Sequence, residues 1–472
     1  MSKEKQLLKN TAIVSIGKIA TQMITFLLLP VYTSVLTTEE YGVVDLLNTL
    51  VCLLLPIVTL QIEQGLFRYL VDNRDDKNKQ KQIITSTLKF VVIGLIFYTI
   101  VFFIASRWIH NNYKYFLAGN VVVSMLTAIL LQLCRGLGDN KRYAFGSFLV
   151  GSCTVALNVL FIVAFRWGAR GMLGATILAN VIAILYLFFA KKVYNYIEPK
   201  KYNGRLLKHI LKYSIPLVPN MISWWIVDAS DRSLITWILG IGQNGIYSAA
   251  NKFASVFMSL YNIFNITWTE SAAININSPE KDKFFSKIFD FTIRFFGALA
   301  LGIIAVISLA FGLLINEQFA EAYNQVPILM IGGVFNVLVI FVGSIYVAKK
   351  ITKEIAKTSI IAAIINVIIN ISLIRFIGLY AASFSTLIAY LTMFIYRFID
   401  SRKYVKLKVN KGLALSMIVL LAVSICTYYS NNNILKGIDI AIVSVYALFI
   451  NRNSFRFLLD TVKNFKKRRE VM

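Results

Sequence analysis

Apolar runs of about 20 residues, the length that crosses the hydrocarbon core of a bilayer as a helix, follow one another along nearly the whole chain. Water-soluble cores do not need runs that long. Backbone amides in hydrocarbon must pair within their own segment, so each run is read as an α-helix. Fourteen spans are expected, at 11–31, 43–66, 83–105, 115–134, 144–165, 171–190, 213–239, 246–269, 288–315, 327–348, 355–374, 379–397, 412–430 and 434–451. Composition agrees: 57% of the 472 residues are hydrophobic and 15% charged, too little charge to coat a soluble surface of this size. The expected fold class is all-α integral membrane.

The net charge of +26 admits two explanations, nucleic-acid binding or membrane orientation. The basic residues sit in short segments between apolar runs, and no polar domain exists to carry a nucleic acid. Most of the 49 fall in alternate segments. These include Lys3, Lys5 and Lys9, then Arg74 to Lys81, Lys191 to Lys212, Arg397 to Lys411, and the tail from Arg452. The intervening segments hold only Arg107, Lys114, Arg166, Arg170, Arg375 and Lys436. The positive-inside rule places both termini in the cytoplasm and supports an even number of spans. No cleavable signal peptide precedes the first run. The external loops are short, and the longest hydrophilic stretch, 191–212, lies on the cytoplasmic side. Cys52, Cys134, Cys153 and Cys426 lie in or beside apolar runs, and His110 and His209 are isolated. No metal set, catalytic residue or cofactor is expected.

The chain repeats itself weakly. Leu36–Gly42 corresponds to Leu239–Gly245 at an offset of 203. Lys141, Ala144, Ser147, Val155, Asn158 and Ile162 correspond to Lys353, Ala356, Ser359, Val367, Asn370 and Ile374 at an offset of 212. Six helices per half return the chain to the same side, so the halves are expected to be parallel repeats, a transporter signature. The expected organisation is an N-terminal lobe at 1–195, a cytoplasmic linker at 196–212, a C-terminal lobe at 213–400, and spans 13 and 14 with a basic tail at 401–472.

A charge at mid-membrane is costly, so each one is a functional candidate. Thr11, Ser15, Lys18, Gln22 and Thr25 form one polar stripe on span 1. Lys252, Ser255, Ser259 and Asn262 form another on span 8. Each stripe lines a cavity, or packs with its lysine snorkelling to the interface. Span 7 carries Asp228, Asp231 and Arg232; Asp228 and Arg232 are four apart and can pair on one helix face. Span 2 holds Asp45 near its outer end and Gln61, Glu63 and Arg68 near its inner end. Pro56 is expected to bend span 2, and Pro216 and Pro219 to bend span 7. Lys89, Arg294 and Lys357 lie near cytoplasmic ends, within reach of the interface. Charge thus gathers on spans 1, 2, 7 and 8, and spans 13 and 14 stand outside the transport core.

Residues 29–47, LPVYTSVLTTEEYGVVDLL, resemble the end of span 1 and the start of span 2 in polysaccharide flippases of the Wzx type. These belong to the multidrug/oligosaccharidyl-lipid/polysaccharide exporter superfamily. Residues 213–256 resemble spans 7 and 8 of the same proteins, through the proline-containing start, Ser-Asp-Arg at 230–232 and Gly-Ile-Tyr at 245–247. The resemblance implies two pseudo-symmetric six-helix lobes, as in MATE exporters, plus two C-terminal helices. It implies movement of undecaprenyl-pyrophosphate-linked oligosaccharide, O-antigen or capsule repeat units, across the bacterial cytoplasmic membrane by alternating access. Cavity cations bind the pyrophosphate in related flippases; Lys18, Arg232 and Lys252 are the nearest equivalents by position. The substrate-binding set expected from charge and position is Lys18, Gln22, Thr25, Asp45, Asp228, Asp231, Arg232, Lys252 and Asn262. H+ or Na+ coupling through Asp45, Asp228 or Asp231, a polysaccharide polymerase partner and a monomeric state complete the expectations. A MATE-type exporter of drugs or small metabolites is the first rival, though intramembrane lysines suit cationic cargo poorly. A membrane-embedded polymerase is the second, and the short external loops offer it no obvious nucleophile and base.

Overall fold

A computed structural model of the chain describes residues 26–108, 111–349 and 351–452. The described residues form helices and no strands. They fall into two compact units that divide between Ser248 and Ala249.

The first unit opens with the short α1, Leu29–Val35, which carries Pro30 in its first turn. Helix α2 is Thr38–Thr59, started by a capping box in which the Glu40 amide donates to Thr37 Oγ1 and the Thr37 amide donates to Glu40 Oε2. It runs straight past Pro56 and stops at Thr59, and α3 resumes at Ile62–Asp72. Span 2, expected as one helix over 43–66, is therefore two. Then follow α4, Lys77–Ala105, α5, Lys114–Gly136, and α6, Asn140–Val159, extended by a π-helical turn at Leu160–Ala164. Next come α7, Gly168–Ala190, α8, Gly204–Ser214, and α9, Leu217–Ile238. Pro216 is the N-cap of α9, so the expected bend in span 7 is a break between α8 and α9. The core of the unit gathers Ile62, Leu66 and Leu70 of α3 with Ile84 and Val91 of α4 and Met125 and Leu133 of α5. The opposite face of α4 exposes Ile93, Ile96, Phe97, Ile100 and Phe103, a surface suited to lipid chains and not to water.

Helix α10, Ile241–Asn275, begins in the first unit and continues into the second. The second unit adds α11, Lys281–Leu314, α12, Ala322–Ala348, α13, Thr352–Ile377, and α14, Leu379–Ser401. It closes with α15, Lys411–Tyr428, and α16, Asn433–Ile450. Trp268 lies flat on Phe341 at 4.3 Å and anchors an aromatic core with Phe285 and Phe289. Helices α15 and α16 are tied on by stacking of Tyr428 on Tyr323, whose hydroxyls each donate to the other's carbonyl oxygen. They are also tied to each other by a buried bond from the Ser424 hydroxyl to Asp439 Oδ1.

Eleven helices among the described residues are long and apolar enough to cross a membrane. Helices α9 and α10, with 22 and 35 residues, have the length but are not among those eleven. Their interiors carry Asp228, Asp231 and Arg232, and Asn251, Lys252, Ser255 and Ser259. Span 1 lies mostly outside the described residues. The chain is a multi-pass membrane protein, and its two least apolar long helices are those the sequence marks as charged.

Two pairs from the repeat hold matching places in their helices. Lys141 and Lys353 are each the second residue of their helix, α6 and α13. Their partners down the register, Asn158 and Asn370, are both buried. Each pair stands at the offset of 212 read from the sequence.

Candidate functional site

The charged side chains of span 7 meet span 2. Arg232 Nε of α9 lies 2.8 Å from Asp45 Oδ2 of α2, with side chains 14% and 17% exposed. A guanidinium and a carboxylate inside a bilayer protein each need the other, because an unpaired charge there is far costlier than in water. The sequence offered Arg232 a partner four residues back, Asp228, and the structure gives it a further one across helices. The side chain of Asp228 lies outside what the structure describes.

Three hydrogen bonds fix the surroundings of the pair. Trp225 Nε1 of α9 donates to the Thr49 carbonyl of α2 at 2.8 Å. Asn244 Nδ2 at the start of α10 donates to the Gly42 carbonyl at 2.9 Å. The Tyr247 hydroxyl donates to Asp231 Oδ2 at 3.1 Å. Asp231 is thus buried and held by a tyrosine, one residue away from the ion pair.

Beside the pair, α2 and α10 touch backbone to backbone. A Cβ on Gly42 would stand 2.0 Å from the Ile241 oxygen, and one on Gly245 would stand 2.0 Å from the Thr38 oxygen. Each glycine meets the carbonyl four residues before the other. The contact is reciprocal, and it joins the two residues paired by the offset of 203. Only glycine permits this approach, as in close-packed membrane helices generally.

The remaining expected site residues distribute as follows. Lys18, Gln22 and Thr25 lie outside the described residues. Asp45, Asp231 and Arg232 come together in the first unit. Lys252 and Asn262 belong to the second unit, ten positions apart on α10, Lys252 partly buried and Asn262 exposed. Lys89 sits over the Tyr202 ring at 4.1 Å, Lys357 over Tyr396 at 5.7 Å, and Arg294 reaches the Ile450 carbonyl at 3.5 Å. Arg397, counted with the basic segment after span 12, is instead buried inside α14.

Sequence reading gave no site role to Trp225, Asn244 or Tyr247, and read Gly42 and Gly245 as landmarks of the repeat and of the family resemblance. The glycines carried a usable signal, since equivalent glycines of a two-fold repeat are where its helices can cross on the axis. The aromatic residues carried none, because aromatics occur on every span.

Helices paired by charge inside the membrane and crossed on glycine define a polytopic membrane protein with a polar interior. The sequence profile of the family described as "Polysaccharide biosynthesis protein" matches residues 7–268, and the chain belongs to that family. Two solved structures show the fold it shares. The inward-closed lipid II flippase MurJ aligns with a TM-score of 0.71 at 14% identity, over 95% of this chain and 100% of that one. An inward-facing multidrug resistance MATE family transporter of the MOP superfamily aligns at 0.68 and 14% identity, over 83% and 98%. An outward-facing MATE transporter of the same superfamily aligns at 0.57. No curated protein sequence matches the chain.

Proposed function

We propose that this chain is a flippase that carries polyprenyl-pyrophosphate-linked oligosaccharide repeat units from the inner to the outer leaflet of a bacterial cytoplasmic membrane. The observation that carries this reading is the Asp45–Arg232 pair, held at 2.8 Å between membrane helices of a polysaccharide-biosynthesis protein. A pyrophosphate is the anion best suited to replace a carboxylate on a guanidinium, through parallel N–H···O bonds. As substrate phosphate takes Arg232, Asp45 loses its counter-charge. The seam between α2 and the helices α9 and α10 is thereby loosened, and access alternates.

The potential favours the direction. Export of an anion from a negative interior is downhill by about 2.3 kcal/mol per charge per 100 mV. The six-span halves at 1–195 and 213–400, the cytoplasmic termini, a monomeric state, a coupling proton or sodium ion and a polymerase partner belong to the same proposal. Lys18 and Lys252 supply further cations for the phosphates, with Gln22, Thr25, Asp228, Asp231 and Asn262 as polar contacts.

The test is deletion in the native host with extraction of polyprenyl-linked oligosaccharide. Accumulation of intact repeat units with loss of surface glycan is expected, and wild type but not Arg232→Ala, Lys18→Ala or Lys252→Ala restores display. Unchanged surface glycan with no accumulated intermediate would overturn the reading and make export of drugs or small metabolites the leading one.

A further inference from the structure

Span 2 is interrupted in a manner that L-residues avoid. Between α2 and α3, Leu60 and Gln61 have φ values of 49° and 55°, two successive left-handed residues that are not glycine. The interruption leaves carbonyls at the end of α2 and amides at the start of α3 outside any helical ladder. The Gln61 amide turns to Thr59 Oγ1 at 3.1 Å. The second residue of α3 is Glu63, 5% exposed. The Thr59 hydroxyl and Glu63's own amide serve its carboxyl, while Oε2 is buried with no hydrogen-bond partner among the described residues.

Among the described residues, no cation pairs with this carboxyl. On its own helix, Arg68 pairs with Asp72. On α5, Arg135 is exposed and stacks on Phe67, and the buried Cys134 is uncharged. On α8, Arg205, Lys208, His209 and Lys212 are exposed. On α4, Lys77, Lys79 and Lys89 are exposed and Lys81 pairs with Glu198. Neutral polar groups lie on the same stretch of the neighbouring helices. Gly94 of α4 packs against the Val58 carbonyl and the Met125 side chain, and Leu70 packs against Gly136. Glu63 falls between those two levels, and so do Thr87 of α4 and Thr127 and Gln132 of α5. Each of the three has a buried side-chain oxygen without a hydrogen-bond partner among the described residues.

We propose that Glu63 is a proton-binding carboxyl seated at the Leu60–Gln61 break, and that it is the ion-coupling group of the transport cycle. The second clause rests on the flippase reading; the first does not. A proton from water adds to the carboxylate, and the resulting O–H donates to an oxygen acceptor such as a carbonyl freed at the break. Release returns the proton to water and leaves the anion facing the amides of α3. Burial with no counter-charge among the described residues favours the neutral form, and the helix-terminal amides lessen the cost of releasing the proton. Of the acids first considered for coupling, Asp45 pairs with Arg232 and Asp231 bonds Tyr247, and the side chain of Asp228 lies outside the described residues.

The test is infrared difference spectroscopy of the full-length protein in lipid nanodiscs, titrated from acid to alkaline pH. The expected result is the C=O stretch of a protonated carboxylic acid at neutral pH. It is lost in Glu63→Gln, shifted in Glu63→Asp and kept in Asp439→Asn, which removes another buried acid. If Glu63→Gln does not fold, the shift in Glu63→Asp makes the assignment. No such band in wild type, or a band untouched by both Glu63 variants, overturns the proposal. Surface-glycan display in the same strains separates the two readings. Glycan display indifferent to gene deletion, with the band assigned to Glu63, removes the flippase and leaves the proton site.

Discussion

Two arginines inside the membrane helices are neutralised in opposite ways. Arg232 of the first unit has a carboxylate at 2.8 Å, and both partners keep some exposure. Arg397 of the second unit is 1% exposed, and none of its hydrogen bonds is to a carboxylate. Its Nε donates to Thr358 Oγ1 at 2.9 Å and Nη1 to the Val339 carbonyl at 3.2 Å. Nη2 donates to the Ile355 carbonyl and to Ser359 Oγ, both at 3.3 Å. A planar fork of five donors can clamp α12 and α13 to α14 in this way, which a lysine cannot. An ion pair can be exchanged for another ion pair when an anion arrives, whereas a cation solvated by fixed carbonyls and hydroxyls has nothing to exchange. The comparison separates a group suited to switching from a group suited to holding.

The largest expected effect follows from removing the holding group. Arg397→Leu removes four hydrogen bonds from a charged donor at once, each worth at most about 1.5–3 kcal/mol, while the Thr358 and Ser359 hydroxyls keep their bonds to the Ile355 carbonyl. Arg397→Lys keeps at most some of the four bonds. Fluorescence-detected size-exclusion chromatography of a tagged chain should show little monodisperse Arg397→Leu protein and reduced Arg397→Lys. A normal elution peak for Arg397→Leu would mean that the clamp is dispensable.

Arg232 should behave differently. Arg232→Ala strips Asp45 of its guanidinium and Asp45→Ala weakens the neutralisation of Arg232, with a stability loss of about 3–5 kcal/mol if the site were fully buried and less here, where solvent screens it. Function is expected to suffer more than folding: surface glycan should disappear while much of the protein still inserts. The double variant Asp45→Ala/Arg232→Ala should recover stability relative to either single one and stay inactive. Recovery of glycan display in the double variant would show that the pair only holds the helices together.

The same contrast explains what could be read in advance. Span positions, alternation of basic loops and the candidate helices α9 and α10 were legible because hydropathy and charge are properties of short segments. The repeat offset of 203 was legible too, and it marked the two glycines that meet. The partner of Arg232 was not, because Asp45 is 187 positions away and a charge at i−4 looked equally good. Arg397 was misplaced because a basic residue at the end of an apolar run reads as a loop, and only the packing of α12 and α13 around it reveals the carbonyls. The interruption at Leu60–Gln61 had no residue signature; Pro56, the apparent breaker, lies within α2.

The glycine seam sharpens the comparison at smaller amplitude. Gly42→Ala or Gly245→Ala places a methyl 2.0 Å from a backbone oxygen, so α2 and α10 must part. Overpacking of this kind costs about 1–3 kcal/mol. The two substitutions strain one contact, so the double variant should cost clearly less than the sum of the singles. Cysteine pairs placed across the seam should crosslink more slowly in either variant. Equal crosslinking rates with unaltered glycan display would show that the close approach is not maintained in the membrane.

The smallest effect is expected where charge pairs outside the spans. Asp139 caps α6 through the Arg142 amide and bonds the side chains of Arg142 and Lys191, the latter at 3.2 Å. Burial pushes its carboxyl up, but the Arg142 side chain and backbone and then Lys191 outweigh that and hold it below the usual carboxylate range. A carboxyl lowered in the folded state binds its proton less readily there than in the unfolded chain. Its stabilisation is therefore complete above the ordinary carboxylate range and is lost as pH falls through the folded value. Thermal unfolding in detergent should show an acid-side decline in wild type that is shallower in Asp139→Asn, with little difference between the two slopes at neutral pH. The Asp45–Arg232 pair gives the control. If Asp45→Asn changed the stability as much as Asp139→Asn does at every pH, the contribution of Asp139 would not come from its charge outside the spans.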